Sequence, residues 1–374
     1  MGIMSQTTLC IFGGLTLVAF IGLIVKWDSL TGSSVKKISI RTSSLLLVNF
    51  LFIFTLGLAL NNYGGFYGSW SELVGIQQVV ASVPENSIVP ITKAEIAAGT
   101  ITPDGGVILR EVIKGEKSGI AGTILTVLPS SYVNLVQSNA DPKSFRIFHV
   151  MQLLSGFPGY PSTWIHGMNM VKYFEHQQLI GAMPPTIAVL PQINVLPHRD
   201  TECLNVPNGP QIETWLSQDV IDFEKKHLNL RDERWGVAGY STGGWCSAML
   251  TLKDPKVFLA GASIAGYFEP QFATPFPKAS MAEMAAAYNI KAIAASNPPT
   301  VNLLLVNSLR DASTNKETQN FYSLLQKPVK KSEITLVNSG HNLKAWNKIE
   351  PELFQWFGKV FKEERISTSK KLSA

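Results

Sequence analysis

The stretch Arg234–Leu250, RWGVAGYSTGGWCSAML, restricts what this chain can fold into more than any other. It reads as a short apolar strand over Trp235–Ala238 and a sharp turn at Gly239-Tyr240-Ser241-Thr242-Gly243. A helix follows that opens on Gly244 and carries Ala248, Met249 and Leu250. G-x-S-x-G between a strand and a helix is the pattern of a nucleophile elbow. A serine hydroxyl is a weak nucleophile, so it must stand clear of the backbone where an imidazole can take its proton. Glycines at 239 and 243 let strand and helix approach without side-chain collision. The helix start turns free N–H groups toward a developing negative charge. The pentapeptide alone is common, and an ordinary Gly-rich strand–helix turn is the competing reading. The flanking strand and helix carry the weight.

A chain of 374 residues accommodates one large α/β domain with additions. Hydrophobic residues make up 45% of it, and the excess is concentrated near the N-terminus. The formal net charge of +5 is mild, and no Lys/Arg block is interleaved with aromatics, which argues against a nucleic-acid partner. No repeat is visible. The three cysteines, Cys10, Cys203 and Cys246, match no zinc spacing.

Thr7–Val25 is an uncharged apolar run of a length that suits a bilayer span. A second run covers Ser43–Leu60, so two transmembrane helices are expected at about 7–25 and 43–61. Between them Lys26, Lys36, Lys37 and Arg41 face Asp28 alone, which places the 26–42 loop in the cytoplasm and both chain ends outside. A cleaved signal peptide fits less well, because a charged leading region is missing and there are two runs. Two buried core helices are the other alternative. Residues 1–62 thus form a membrane anchor and 63–104 a linker and entry segment. Residues 105–362 form the globular domain and 363–374 a flexible tail.

The globular part alternates strands and helices. Strands are expected at Val107–Lys114, Gly122–Leu128, Arg146–Leu154, Thr186–Leu190, Trp235–Ala238, Phe258–Ile264, Val301–Asn307 and Glu333–Val337. Helices are expected at Thr163–Leu179, Gln211–His227, Pro277–Ala295 and Asn342–Phe361. The central strands are apolar on both faces. That pattern predicts an α/β fold with a mostly parallel sheet and helices on both sides.

In such a fold the reacting groups sit on loops at the strand C-termini, in chain order serine, acid, histidine. After VNLLLVN comes Ser308-Leu309-Arg310-Asp311, and after the last strand comes Asn338-Ser339-Gly340-His341-Asn342. His341 is the candidate base for Ser241, and Asp311 the candidate that orients His341. Glu317 is close enough in sequence to be the acid instead. The oxyanion needs two backbone donors. Thr242 N–H follows the nucleophile, and Phe157 N–H lies in the loop SGFPG after the long central strand, where Pro158 has no N–H to offer. The other histidines, His149, His166, His176, His198 and His227, show no metal-ligand spacing. His149 reads as a core residue, and His198 as a structural hydrogen-bonding residue or a lining residue of the site.

The combination SGFPG after a central strand, GYSTGG at the elbow and SGHN near the end resembles the esterase family of the α/β-hydrolases. That family includes esterase D-like enzymes and the mycolyltransferases of actinobacterial envelopes. The segments RDTECLNVP (Arg199–Pro207), ETWLSQDV (Glu213–Val220) and GYSTGGWC (Gly239–Cys246) look like its membrane-anchored actinobacterial members. The resemblance covers roughly residues 105–360. It implies an α/β-hydrolase fold, a serine nucleophile, an acyl-enzyme, and no metal or cofactor. Cys203 and Cys246 lie in the most similar segments, so a bond between them is expected, with two separate buried thiols as the alternative.

Three functions follow as expectations. The first is a membrane-tethered serine esterase acting on acyl esters or lipids outside the cytoplasmic membrane, with Tyr267–Pro277 walling its acyl pocket. The second is an acyltransferase that uses the same groups and delivers the acyl chain to a sugar or glycolipid hydroxyl. The third is a non-catalytic envelope scaffold.

Overall fold

A computed structural model describes residues 2–64, 66–74, 90–196, 199–273 and 276–372. His198 and residues 65 and 75–89 of the expected linker and entry segment lie outside the described residues. The chain divides into two compact units, Met1–Gln77 and Gln78–Ala374.

In the first unit two helices, α1 (Gln6–Lys26) and α2 (Val35–Gly64), pack side by side. Thr16 and Thr55 share a hydrogen bond of 3.0 Å, and Phe12 meets Phe54 edge-on with centroids 4.8 Å apart. α2 starts well before the apolar run at Ser43. Lys36, Lys37 and Arg41 are good helix formers, so the helix extends back through them, and the non-helical connection shrinks to a few residues. The outward faces are apolar and exposed, for example Val18, Phe50 and Ile53.

The second unit is built on a nine-stranded sheet. Its strands are β1 (Thr100–Ile101), β2 (Val107–Lys114), β3 (Ala121–Leu128), β4 (His149–Leu154) and β5 (Thr186–Pro191). β6 (Trp235–Tyr240), β7 (Phe258–Ile264), β8 (Asn302–Ser308) and β9 (Lys330–Leu336) complete it. The order is β1-β2-β3-β5-β4-β6-β7-β8-β9. β1, β2, β3 and β5 pair antiparallel, and from β5 to β9 the pairing is parallel. β4, β5, β6 and β7 are buried along their whole lengths, as parallel strands covered on both faces must be. β9 is the edge strand on the parallel side; it alternates exposed and half-buried and opens on Lys330 and Lys331, charges that discourage pairing with another chain.

Where the elements differ from the sequence reading, a local cause is visible. β4 starts at His149 because Asp141 caps a 3₁₀ segment, Pro142–Ile147, that takes up the first residues of the expected strand. The expected helix Thr163–Leu179 is two helices, Ser162–His166 and Met170–Leu179, separated at Asn169, whose φ of 56° is left-handed. The helix over 212–227 contains a π turn at Trp215–Asp219, and Gln152 of β4 donates to the Leu216 carbonyl there (2.8 Å). The helix after Pro277 stops at Ala287 because Tyr288 turns inward, accepts from Asn205 N–H and donates to Glu213. The closing helix is also two pieces, Leu343–Asn347 and Glu350–Leu372. The second runs through most of the expected flexible tail. Its residues Lys362 to Arg365 are helix formers, and Glu364 pairs with Arg234 at 2.7 Å.

Candidate active site

The parallel strands bring their C-terminal ends to one rim, and the site is assembled there. Ser241 directly follows β6 with φ 56° and ψ −122°, a conformation that a non-glycine residue holds only when its surroundings enforce it. Three contacts enforce it. Ser241 N–H donates to Ile264 O of β7 (2.9 Å), and the Ser241 carbonyl accepts from Gly244 and Trp245 N–H (2.9 and 3.1 Å). The helix Thr242–Lys253 therefore starts two residues before Gly244. Close approach is possible because two side chains are missing. A Cβ at Gly239 would lie 2.1 Å from Gly243 O, and one at Gly243 would lie 2.3 Å from Leu154 O.

His341 follows the last strand in chain order and reaches back to the elbow. Its Nε2 is 3.0 Å from Ser241 Oγ, and its Nδ1 is 2.7 Å from Asp311 Oδ2. The loop that carries it is tied down at both ends. Ser308 at the end of β8 donates to the Ser339 carbonyl, and Asn342 caps the next helix by accepting from Ala345 N–H (3.0 Å). Trp346, one helical turn on, places its ring against the imidazole with centroids 4.9 Å apart at 87°, and stacks on Tyr240 at 4.8 Å. The imidazole is thus fixed on one side by an aromatic wall and at both nitrogens by hydrogen bonds.

Asp311 is 3% exposed. Burial alone would raise its carboxyl, but donors outweigh it: His341, Ser313 and Thr314 all bond to the charged form, and the result lies well below the usual carboxylate range. Glu317 sits one turn into the helix Asn315–Leu324. Among the described residues it makes no bond to His341, so of the two acids weighed from sequence it is Asp311 that the structure sets against the imidazole.

The loop after β4 lies beside the serine. A Cβ at Gly156 would come within 3.1 Å of Ser241 Cβ. Asn194 pins this loop, donating from Nδ2 to the carbonyls of Gly156 (3.0 Å) and Gly159 (2.7 Å). The Phe157 and Thr242 amides donate to no protein acceptor among the described residues. Cys203 and Cys246 form a disulfide with Cα atoms 5.7 Å apart, linking the segment after β5 to the elbow helix. Asn194 and Trp346 have no local sequence signature; their roles depend on loops that meet only in the folded chain. His149 is buried, stacked on Phe361, with Nδ1 2.9 Å from Glu233. His227 lies away from the site between Glu111 and Glu95 (3.2 and 3.8 Å), a grouping invisible to sequence spacing because the three residues come from different elements.

The "Putative esterase" family matches residues 123–358, well over half of the chain. The chain belongs to the Esterase family. Solved structures share the fold at low identity. A ferulic acid esterase is 14% identical with a TM-score of 0.57, over 68% of this chain and 98% of the other. The S-formylglutathione hydrolase of Agrobacterium tumefaciens is 14% identical with a TM-score of 0.56, over 69% and 97%. The fluorophosphonate-binding serine hydrolase F of Staphylococcus aureus is 14% identical with a TM-score of 0.54, over 67% and 98%. No curated protein sequence matches the chain. The second unit of this esterase is therefore a hydrolase domain of the α/β type.

The Asp311 network has a pH signature. A carboxylate with a lowered folded-state pKa contributes stability that is present above its unfolded value, about 3.9, and is lost as pH falls through the folded value. Asp311→Asn is expected to lower stability at pH 7 by about 1.5–3 kcal/mol. The gap to wild type should narrow as pH falls below about 4. Urea midpoints of both proteins from pH 7 to pH 2 check this; a constant gap contradicts it.

Proposed function

We propose that this protein is a membrane-anchored serine esterase that cleaves carboxylic esters outside the cytoplasmic membrane with Ser241, His341 and Asp311. The observation that carries the reading is the continuous hydrogen-bonded line from Asp311 to His341 to Ser241, 2.7 and 3.0 Å, at the strand C-termini of an Esterase-family domain.

In this mechanism Ser241 Oγ attacks the ester carbonyl as its proton passes to His341 Nε2. Asp311 accepts the Nδ1 hydrogen bond and stabilises the imidazolium. The carbonyl oxygen becomes an oxyanion facing the Thr242 and Phe157 amides, which have no competing protein acceptor among the described residues. The alcohol leaves with the proton from His341. Water then repeats the sequence on the acyl-enzyme and releases the acid. Hydrolysis is favoured over transfer to a sugar hydroxyl because the resembling structures are named as esterases and hydrolases. The non-catalytic scaffold reading is disfavoured, since such a protein has no need of the Ser241–His341–Asp311 line. Tyr267 stacks on Trp245 of the elbow helix and Phe268 on Phe321, which favours this aromatic segment as one wall for the acyl chain.

Membrane anchoring rests on α1 and α2. Each is long and apolar enough to cross a bilayer, yet only 11% and 6% of their apolar stretches are buried. Core helices of a soluble domain would be mostly covered; these leave hydrocarbon exposed that lipid would cover. Lys26, Lys36, Lys37 and Arg41 cluster around their connection and orient it to the cytoplasm.

Hydrolysis of a nitrophenyl ester series tests the chemistry. Ser241→Ala and His341→Gln are each expected to lose about 10⁴-fold or more in kcat, with no sugar ester formed when a sugar acceptor is added. Activity retained in Ser241→Ala removes the mechanism, and a sugar ester as the main product replaces hydrolysis with transfer. Carbonate washing of membranes tests the anchor. The full chain should stay with the lipid, whereas release into the supernatant contradicts two spanning helices.

A further inference from the structure

Behind the elbow lies a short acidic segment that the mechanism above does not use. Asp200 and Glu202 are 5% and 1% exposed, an unusual place for two carboxylates only two residues apart. Their partners explain it. Asp200 Oδ2 accepts from the Thr242 hydroxyl at 2.7 Å, and Oδ1 accepts from Glu202 N–H at 2.8 Å. The Glu202 carboxyl accepts backbone N–H groups of Gln271 (2.7 Å) and Phe272, and its carbonyl accepts from Trp245 Nε1 (2.8 Å). Cys203 is bonded to Cys246. Glu202 and Cys203 both hold left-handed backbone, with φ of 52° and 58°. The segment 200–203 is therefore attached to the elbow helix at three successive points, residues 242, 245 and 246, and to the segment 271–272 through a carboxylate.

We infer that residues 200–203 are a positioning strap for the esterase reaction, in which Asp200 holds Thr242 so that the Thr242 amide points at the developing oxyanion. The inference rests on the Ser241 mechanism proposed above. The physical argument concerns one peptide plane. The direction of the Thr242 N–H is set by ψ of Ser241, and that residue sits at −122° with a positive φ, outside the regions that a side chain favours. Gly239 and Gly243 permit the turn, and the Gly244 and Trp245 amides hold the plane from inside it through the Ser241 carbonyl. A carboxylate gripping the Thr242 side chain adds a restraint from outside the turn. An ionised acceptor makes a stronger bond to a hydroxyl than a neutral one, and Glu202 N–H and the disulfide keep that acceptor from moving. Burial pushes the Glu202 carboxyl up to about 7 against the pull of its backbone donors, so the strap is held at some cost in desolvation that its hydrogen bonds offset.

Steady-state ester hydrolysis by the full-length protein, with active sites counted by the endpoint of fluorophosphonate labelling, decides the matter. Thr242→Val keeps the shape and the amide and removes the hydroxyl. Asp200→Asn removes one acceptor. Each is expected to lower kcat per labelled site about 10- to 100-fold, with KM within about twofold of wild type. The double variant should be no slower than the slower single variant, because both remove one interaction. Thr242→Ser, which retains the hydroxyl, should restore near-normal turnover. The rate of fluorophosphonate labelling should fall in parallel, since the phosphoryl oxygen occupies the same donors. Wild-type kcat in Thr242→Val overturns the inference. So does a reduced number of labelled sites with normal kcat at each, which is the mark of a purely structural bond. A wild-type protein that neither turns over esters nor takes the label removes the underlying mechanism instead, and is distinguishable because no variant comparison is then needed.

Discussion

Much of this structure depends on how closely two backbones approach at the end of β6. The helix Thr242–Lys253 meets β6 and the neighbouring end of β4 with almost no space between them: a Cβ on Gly239 would lie 2.1 Å from Gly243 O and one on Gly243 2.3 Å from Leu154 O, far inside van der Waals contact. That contact leaves Ser241 in a conformation with positive φ and its side chain projecting from the rim. The strain is tolerated because β6 lies inside a parallel sheet, with β4 on one side and β7 on the other, and because the elbow helix is buried along nearly its whole length. A core of this density does not relax locally, so the fold itself holds the serine in place.

Around that fixed point the other groups are placed by loops, and each loop is secured by its own polar contacts. Asn194 ties down the Gly156–Gly159 turn, Ser308 ties down the histidine loop, and Ser313 and Thr314 hold Asp311. The arrangement has a common logic. Loops at strand ends are the parts of an α/β fold most free to move, and a reaction that needs donors and acceptors within about 3 Å needs those loops restrained. The acidic strap at 200–203 belongs to the same scheme, and acts on the elbow itself.

The elements that could be read from the sequence are those with a local cause. The strands were legible from unbroken apolar runs, and the elbow from five residues between a strand and a helix. The positions of Asp311 and His341 followed from chain order, since each lies just past a strand. Breaks inside helices were not legible. They depend on Asn169 adopting left-handed backbone and on Tyr288 turning inward to meet Glu213, and neither residue type announces it. The choice between Asp311 and Glu317 is one of distance, six residues apart in sequence and on different sides of a turn in space. The bond between Asp200 and Thr242 spans 42 positions, and nothing in RDTEC specifies its acceptor role. Helix formers after Phe361 extended the last helix where polar composition had suggested fraying.

The central claim is that one hydroxyl, Ser241, is activated by one imidazole, His341. Peptide mapping of the full-length protein after reaction with a fluorophosphonate, for wild type and His341→Gln, measures this directly. The account predicts a single stoichiometric adduct on the peptide that contains Ser241, formed far more slowly when His341 is replaced. An adduct on another residue, or equal labelling rates in the two proteins, would contradict it.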